Sequence, residues 1–186
     1  MYTSAIITSA LFAATALAHG NITSPPARQP GPVMQQVCGA SAVSAILADG
    51  TGPLENIPSN GAADCNIFLC KGAQFEDNVN NVQSFAPGEK VAFKAQLPIP
   101  HEGPANVSII DTATNTAVGQ PLLVFDSYAD ENLAKLPANN TAFSVTMPTN
   151  LGAACQTPGE CTMQWFWFGT SAQQTYENCV DFAMSA

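Results

Sequence analysis

From Lys90 onward the chain is written in short apolar runs separated by turn residues, and that cadence constrains its fold more than any other feature. Val91, Phe93, Ala95 and Leu97 alternate with Ala92, Lys94 and Gln96, the period-two pattern of a strand with one buried face. Runs of similar length follow at Asn106 to Ile110, Pro121 to Phe125, Ala142 to Met147, Cys161 to Phe168 and Cys179 to Ala183, with turn signals such as Asn139-Asn140 and Thr157-Pro158-Gly159 between them. No amphipathic helical repeat is found after residue 80. The reading is an all-β chain, an antiparallel sandwich of the immunoglobulin or fibronectin III kind. Ahead of it, Ser24 to Pro32 carries four prolines, which forbid a helix and disfavour a central strand. The stretch to Gln83 is rich in Gly, Asn and Pro, with Val43 to Leu47 and Ile67 to Leu69 its only compact apolar runs. It reads as long N-terminal loops that wrap the sandwich.

The first residues belong to something else. An apolar run from Ala5 to Leu17 ends in Ala16-Leu17-Ala18 and turns polar at His19-Gly20-Asn21, the pattern of a secretory leader cut after Ala18. Met1 to Ala18 contains no Lys or Arg, so the α-amino group alone supplies the leader's positive charge. The run is shorter than the roughly 20 apolar residues of a membrane span. Residues 19–186 then make a single domain large enough to bury its own core.

Secretion sets how the remaining signals are read. Six cysteines, Cys38, Cys65, Cys70, Cys155, Cys161 and Cys179, are an even set bound for an oxidising compartment, so three disulfides are expected. Cys155 and Cys161 flank a short Pro158-Gly159 turn and form a local staple; the other pairings stay open. Sequons at Asn21, Asn106 and Asn139 mark acceptors for N-linked glycans. A net charge of -9, with charged residues only 10% of the chain, argues against nucleic acid or an anionic membrane as partner. No apolar C-terminal tail directs a lipid anchor. A secreted monomer acting on a neutral ligand is expected.

The chain contains two histidines, and the expected cut makes one of them, His19, the first residue of the mature protein. A free N-terminal histidine offers an α-amino nitrogen and a ring nitrogen from one residue, and such donors suit Cu(II) in tetragonal geometry. His101, in Pro98-Ile99-Pro100-His101-Glu102-Gly103-Pro104, follows the Val91 strand on a Pro-bracketed loop and can supply a second imidazole. Near the C-terminus, Tyr176 enters the last strand with Gln174 on the same side two residues earlier. By itself that tyrosine fits a packed core position equally well.

These motifs together resemble the fungal lytic polysaccharide monooxygenases, most closely auxiliary activity family 16. The resemblance is carried by His19-Gly20 after Ala18, Ser24-Pro25-Pro26-Ala27-Arg28-Gln29-Pro30-Gly31 and Cys65-Asn66-Ile67-Phe68-Leu69-Cys70-Lys71-Gly72. Pro100-His101-Glu102-Gly103, Ala105-Asn106-Val107-Ser108, Gln164-Trp165-Phe166-Trp167 and Gln174-x-Tyr176-x-x-Cys179-Val180-Asp181-Phe182 complete it. It implies one copper ion per chain in a histidine brace. His19 would bind through its amino group and ring, His101 would supply the third nitrogen, and Tyr176 would lie axially. Gln174 would be the hydrogen-bond donor beside the metal. It also implies that Cys70 pairs with Cys179 and Cys38 with Cys65. One departure is the lack of a spare histidine near the metal, which leaves Glu102 as the nearest proton source in sequence.

The implied activity is oxidative cleavage of an insoluble polysaccharide, with an external electron donor and O₂ or H₂O₂ as co-substrates. Cellulose, oxidised at C1, is the substrate the resemblance favours. Chitin is the alternative, as are a noncatalytic copper-binding relative in copper acquisition and a carbohydrate-binding module without redox chemistry. No carboxylate pair for glycoside hydrolysis is readable.

Overall fold

The computed structural model describes residues 19–185; the expected leader, residues 1–18, lies outside the described residues. The chain runs β1 (His19–Ser24), α1 (Pro32–Cys38), α2 (Ala40–Ala48), β2 (Gln83–Phe85), β3 (Lys90–Ile99), β4 (Gly103–Asp111), β5 (Thr116–Ala117), β6 (Leu123–Tyr128), α3 (Ala138–Thr141), β7 (Ala142–Thr146), β8 (Cys161–Gly169) and β9 (Gln174–Met184). One sheet has the order β1-β3-β7, the other β2-β9-β8-β4, with β5 and β6 sharing the edge beside β4. All pairs are antiparallel except β2 with β9. The expected β-sandwich is the fold observed.

The core lies between the sheets and is rich in aromatic rings. Phe93 stacks on Phe143 at 5.3 Å, while Tyr128 meets Trp165 and Trp167 edge-on at 6.1 and 5.8 Å. Trp165, Trp167, Tyr128, Tyr176 and Phe182 are fully buried, and each such side chain contributes a large apolar area to folding. A second, smaller cluster, built on Met34, Cys38, Ala42, Val43 and Leu54, fills the N-terminal region.

That region departs from the expected loops: His19–Ser24 form β1, and short 3-10 turns lie at Leu54–Asn56, Cys70–Gly72 and Phe75–Asp77. Residues 32–48 form two short helices, covering the apolar run Val43 to Leu47. Pro32 is compatible with α1 because it stands in the first turn, where its missing N–H costs nothing. The backbone N–H groups of Val33 and Met34 donate to the Asp77 carboxylate at 3.0 and 2.9 Å. The cap of α1 therefore comes from a residue more than forty positions away, which no local pattern reveals. Several strands are also longer than their apolar letters: β4 starts at Gly103, and β9 starts at Gln174.

Three disulfides hold this arrangement: Cys38–Cys65 within the N-terminal cluster, Cys70–Cys179 between the loop region and β9, and Cys155–Cys161 at the start of β8. Loop and sandwich are also tied by Arg28, whose Nε and Nη2 both donate to the buried Asp181 carboxylate at 2.7 Å, the bidentate geometry in which a buried ion pair is best satisfied.

Candidate metal centre

Antiparallel topology delivers the start of β1, the end of β3, the start of β4, the ends of β6 and β8 and the start of β9 to one end of the sandwich. His19 pairs in register with Ile99, so His101 stands two residues beyond the strand position facing His19. On the other sheet Trp167 pairs with Tyr176, and Gly169 with Gln174. Tyr176 stacks on Trp167 at 4.4 Å and 27°. A methyl group built on Gly20 would meet the Trp167 ring at 2.9 Å, and one on Gly169 would meet His101 Cβ at 3.3 Å. His19, His101, Gln174 and Tyr176 thus gather around one tryptophan-backed floor.

Each imidazole has a carboxylate on one ring nitrogen. His19 Nε2 lies 2.7 Å from Asp49 Oδ2, and His101 Nδ1 lies 3.4 Å from Glu131 Oε1. Metal-ligating histidines are oriented in this way, one nitrogen donating to an outer partner and the other turned to the ion. His101 Nε2 is buried and has no hydrogen-bond partner among the described residues. A buried polar atom left unpaired is costly unless a ligand satisfies it. Held at Nδ1, the His101 ring offers the Nε2 lone pair. For His19 the ring nitrogen that can close a chelate with its own amino group is Nδ1, and Asp49 takes the opposite one. Two imidazoles with an N-terminal amine form a donor set suited to copper.

The surroundings are acidic. Burial opposes ionisation of Asp49, but hydrogen bonds from Thr51 and the charge of His19 hold its carboxyl below the usual range. Glu131 is held low likewise, against burial, by backbone N–H groups including that of Glu102 and by His101. Glu55 accepts from Thr175 N at 2.9 and 3.1 Å. Burial, then the nearby charges of Glu55 and Asp49, pushes the Tyr176 phenol well above its ordinary value. It therefore stays neutral at physiological pH and donates its proton to Gln174 Oε1 at 2.7 Å. That bond occupies the Gln174 amide oxygen and ties the two side chains together at the start of β9.

The carboxylate beside His101 comes from Glu131. Glu102 contributes its backbone N–H to Glu131 Oε2 at 2.5 Å. Neither Asp49 nor Glu131 sits in a motif that marks it in the sequence, since both lie on loops far from the histidines they meet. Cys70, Glu177 and Cys179 also bring ligand-type atoms together, but both sulfurs are consumed in a disulfide, so no thiolate is present to bind a metal. Of the sequon asparagines, Asn139 is exposed, whereas Asn21 and Asn106 are half-buried within strands.

Gly103 is the hinge between His101 and β4. A Cβ there would fall 1.9 Å from the Phe168 carbonyl oxygen, and both groups are backbone, so neither can swing aside. Gly103→Ala is expected to lose about 1–3 kcal/mol or more of stability by forced overpacking, read by urea denaturation. A loss under about 0.5 kcal/mol would show that β4 and β8 can separate freely here.

The end of the β-sandwich thus carries two imidazoles, each beside a carboxylate, together with a buried phenol bonded to an amide on a tryptophan floor. The sequence profile of a lytic polysaccharide mono-oxygenase family described as cellulose-degrading matches residues 19–182, and the chain belongs to that family. A solved cellulose-active lytic polysaccharide monooxygenase in complex with copper shares the fold, with TM-score 0.50 and 12% identity over 89% of this chain and 98% of that one. Looser likenesses are to a chitin binding domain from Burkholderia pseudomallei (TM-score 0.49, 11% identity, 90% and 100% covered) and an auxiliary activity family 15 lytic polysaccharide monooxygenase from Thermobia domestica in the Cu(I) state (TM-score 0.43, 16% identity, 89% and 98% covered). No curated protein matches the chain.

Proposed function

We propose that the chain is a secreted copper monooxygenase of the fungal type, nearest auxiliary activity family 16, that cleaves cellulose oxidatively with C1 oxidation. One copper ion would be held by the His19 amino group and Nδ1 and by His101 Nε2, with the Tyr176 phenol beside them. The observation that carries this reading is the buried, unpartnered Nε2 of His101, two residues past the strand position that faces His19. Copper, when bound, supplies the redox chemistry by which an external electron donor and O₂ or H₂O₂ oxidise a C–H bond beside the glycosidic link.

The protein's part is positioning and exclusion. Asp49 and Glu131 fix the two rings before the ion arrives, so little ordering cost falls on binding. The fully buried Tyr176, stacked on Trp167, keeps water from the inner side of the site. Gln174, fixed by the bond it accepts from the phenol, would be the polar side chain beside the metal. Acidic groups at Asp49, Glu55 and Glu131 favour a divalent cation over an anion at this end. Ile99 and Leu133, 42% and 48% exposed, lie close in sequence to His101 and Glu131 and give the surrounding surface apolar area for a sugar face. Residues 19–186 act as one domain, with Asn139 the sequon best placed to carry a glycan.

The test is to incubate copper-loaded protein beginning at His19 with ascorbate and H₂O₂ on cellulose, and separately on chitin, and to analyse soluble products by mass spectrometry. Aldonic-acid oligosaccharides from cellulose are expected. Oxidised products from chitin alone would move the substrate, and none from either polymer would sink the enzymatic reading.

A further inference from the structure

The turn at residues 49–52 joins the candidate metal centre to a buried lysine. Asp49 Oδ1 accepts from the backbone N–H and hydroxyl of Thr51 at 3.0 and 2.6 Å, and its Oδ2 faces His19. Gly20 N–H donates to Thr51 O at 2.9 Å, so the same turn also grips β1 one residue past His19. From the other side Lys71 Nζ donates to the carbonyls on both flanks of Thr51, Gly50 O at 2.8 Å and Gly52 O at 3.5 Å.

Lys71 is an unusual residue to find there. It is 5% exposed, follows Cys70 of the Cys70–Cys179 bridge and has a left-handed backbone with φ of 58°. Holding a non-glycine residue in that region costs about 1 kcal/mol or more. Burial pulls its ammonium down to about 8 against the attraction of Glu177 and Asp49. Burying a charge is expensive unless its hydrogen bonds are specific. The bonds its ammonium makes go to the turn whose Asp49 faces His19.

We propose that Lys71 is a positioning residue for the copper site, acting through the 49–52 turn to hold Asp49 against His19 and so to aim the His19 ring. The inference rests on the copper reading above and extends it to a residue whose ammonium bonds go to the 49–52 turn. Lys71 and Asp49 then form one mechanical path, and substitutions along one path are not additive.

The test uses protein starting at His19, with Lys71→Met, Asp49→Ala and the double variant, and Lys71→Met/Glu177→Gln where the buried Glu177 charge left by the first prevents folding. Copper(II) affinity and the copper(II) electron paramagnetic resonance spectrum are read for each, alongside thermal unfolding. In the metal-free protein, ¹⁵N resonances of the His19 ring report its tautomer. Lys71→Met is expected to weaken copper binding by about 10-fold to 100-fold, as loss of outer-sphere support does, to shift the spectrum, and to mix the His19 tautomers. In the Asp49→Ala background the same substitution should change copper affinity by less than about twofold.

A folded Lys71→Met protein with unchanged affinity, spectrum and tautomer overturns the proposal, as do additive effects with Asp49→Ala. Failure of the parent protein to bind copper would instead overturn the copper reading, and the metal-free tautomer data would still decide the role of Lys71.

Discussion

Protein that begins at His19 will bind copper(II) about 100-fold to 1,000-fold more tightly than protein that keeps Ala18 ahead of it. In the uncut chain the nitrogen of His19 is a peptide nitrogen, with its lone pair delocalised into the carbonyl. Cutting turns it into an amine that closes a chelate with Nδ1 of the same residue. A tight four-ligand structural zinc site is worth about 10–16 kcal/mol, so one ligand averages roughly 2.5–4 kcal/mol, and each 1.4 kcal/mol is about tenfold in affinity. His101→Ala should cost a similar amount by removing the imidazole whose buried Nε2 is unpartnered. Competition titration against a chelator of known affinity measures both. Equal affinity for the two N-terminal forms would mean the amine is not a ligand.

The second large effect concerns stability. Replacing Cys70 and Cys179 together by serine removes a cross-link that spans 109 residues, for which loop entropy gives about 4–5 kcal/mol. In a domain of this size each kcal/mol moves Tm by about 2–4 °C, so a fall of about 10–15 °C is expected. The same change at Cys155 and Cys161, only 6 residues apart, should cost roughly 2 kcal/mol. The first pair also joins the Lys71 segment to β9, three residues beyond Tyr176, so its loss should weaken copper binding as well. Thermal unfolding with and without copper compares the two pairs, and an equal loss for both would show that the long cross-link adds nothing through the unfolded chain.

The sandwich was legible because β3 and β7 are half-buried strands whose alternation survives in their letters, and because β8 is a compact apolar run. β9 was legible only in part. Gln174-Thr175-Tyr176-Glu177-Asn178 looks too polar for a strand interior, yet Glu177 and Asp181 are fully buried in it. Each is met from the N-terminal region: Glu177 Oε1 accepts from Cys70 N–H and faces Lys71 electrostatically, and Asp181 accepts from Arg28. Burial pushes the Glu177 carboxyl up to about 7 against those stabilising contacts. Where a loop covers a sheet face, charges can replace apolar residues, and the period-two signal disappears. The helices at 32–48 were hidden for a related reason, since α1 is capped by the distant Asp77.

The centre divides along the same line. His19 and His101 stood out in the sequence as the two histidines, and Gln174 and Tyr176 became candidates only through the family resemblance. Asp49, Glu131 and Lys71 could not be named, because a carboxylate or ammonium on a loop is ordinarily a solvated charge, and only tertiary structure brings these three to a histidine or to the turn that holds one. The resemblance named the candidate ligands, and the fold shows which side chains lie beside them.

The most direct measurement of the account is the electron paramagnetic resonance spectrum of mature protein with one equivalent of copper(II), taken with and without His101→Ala. One copper per chain with three nitrogen couplings, reduced to two in the variant, is the predicted result. A spectrum that His101→Ala leaves unchanged, or one in which copper has no nitrogen ligands, would contradict it.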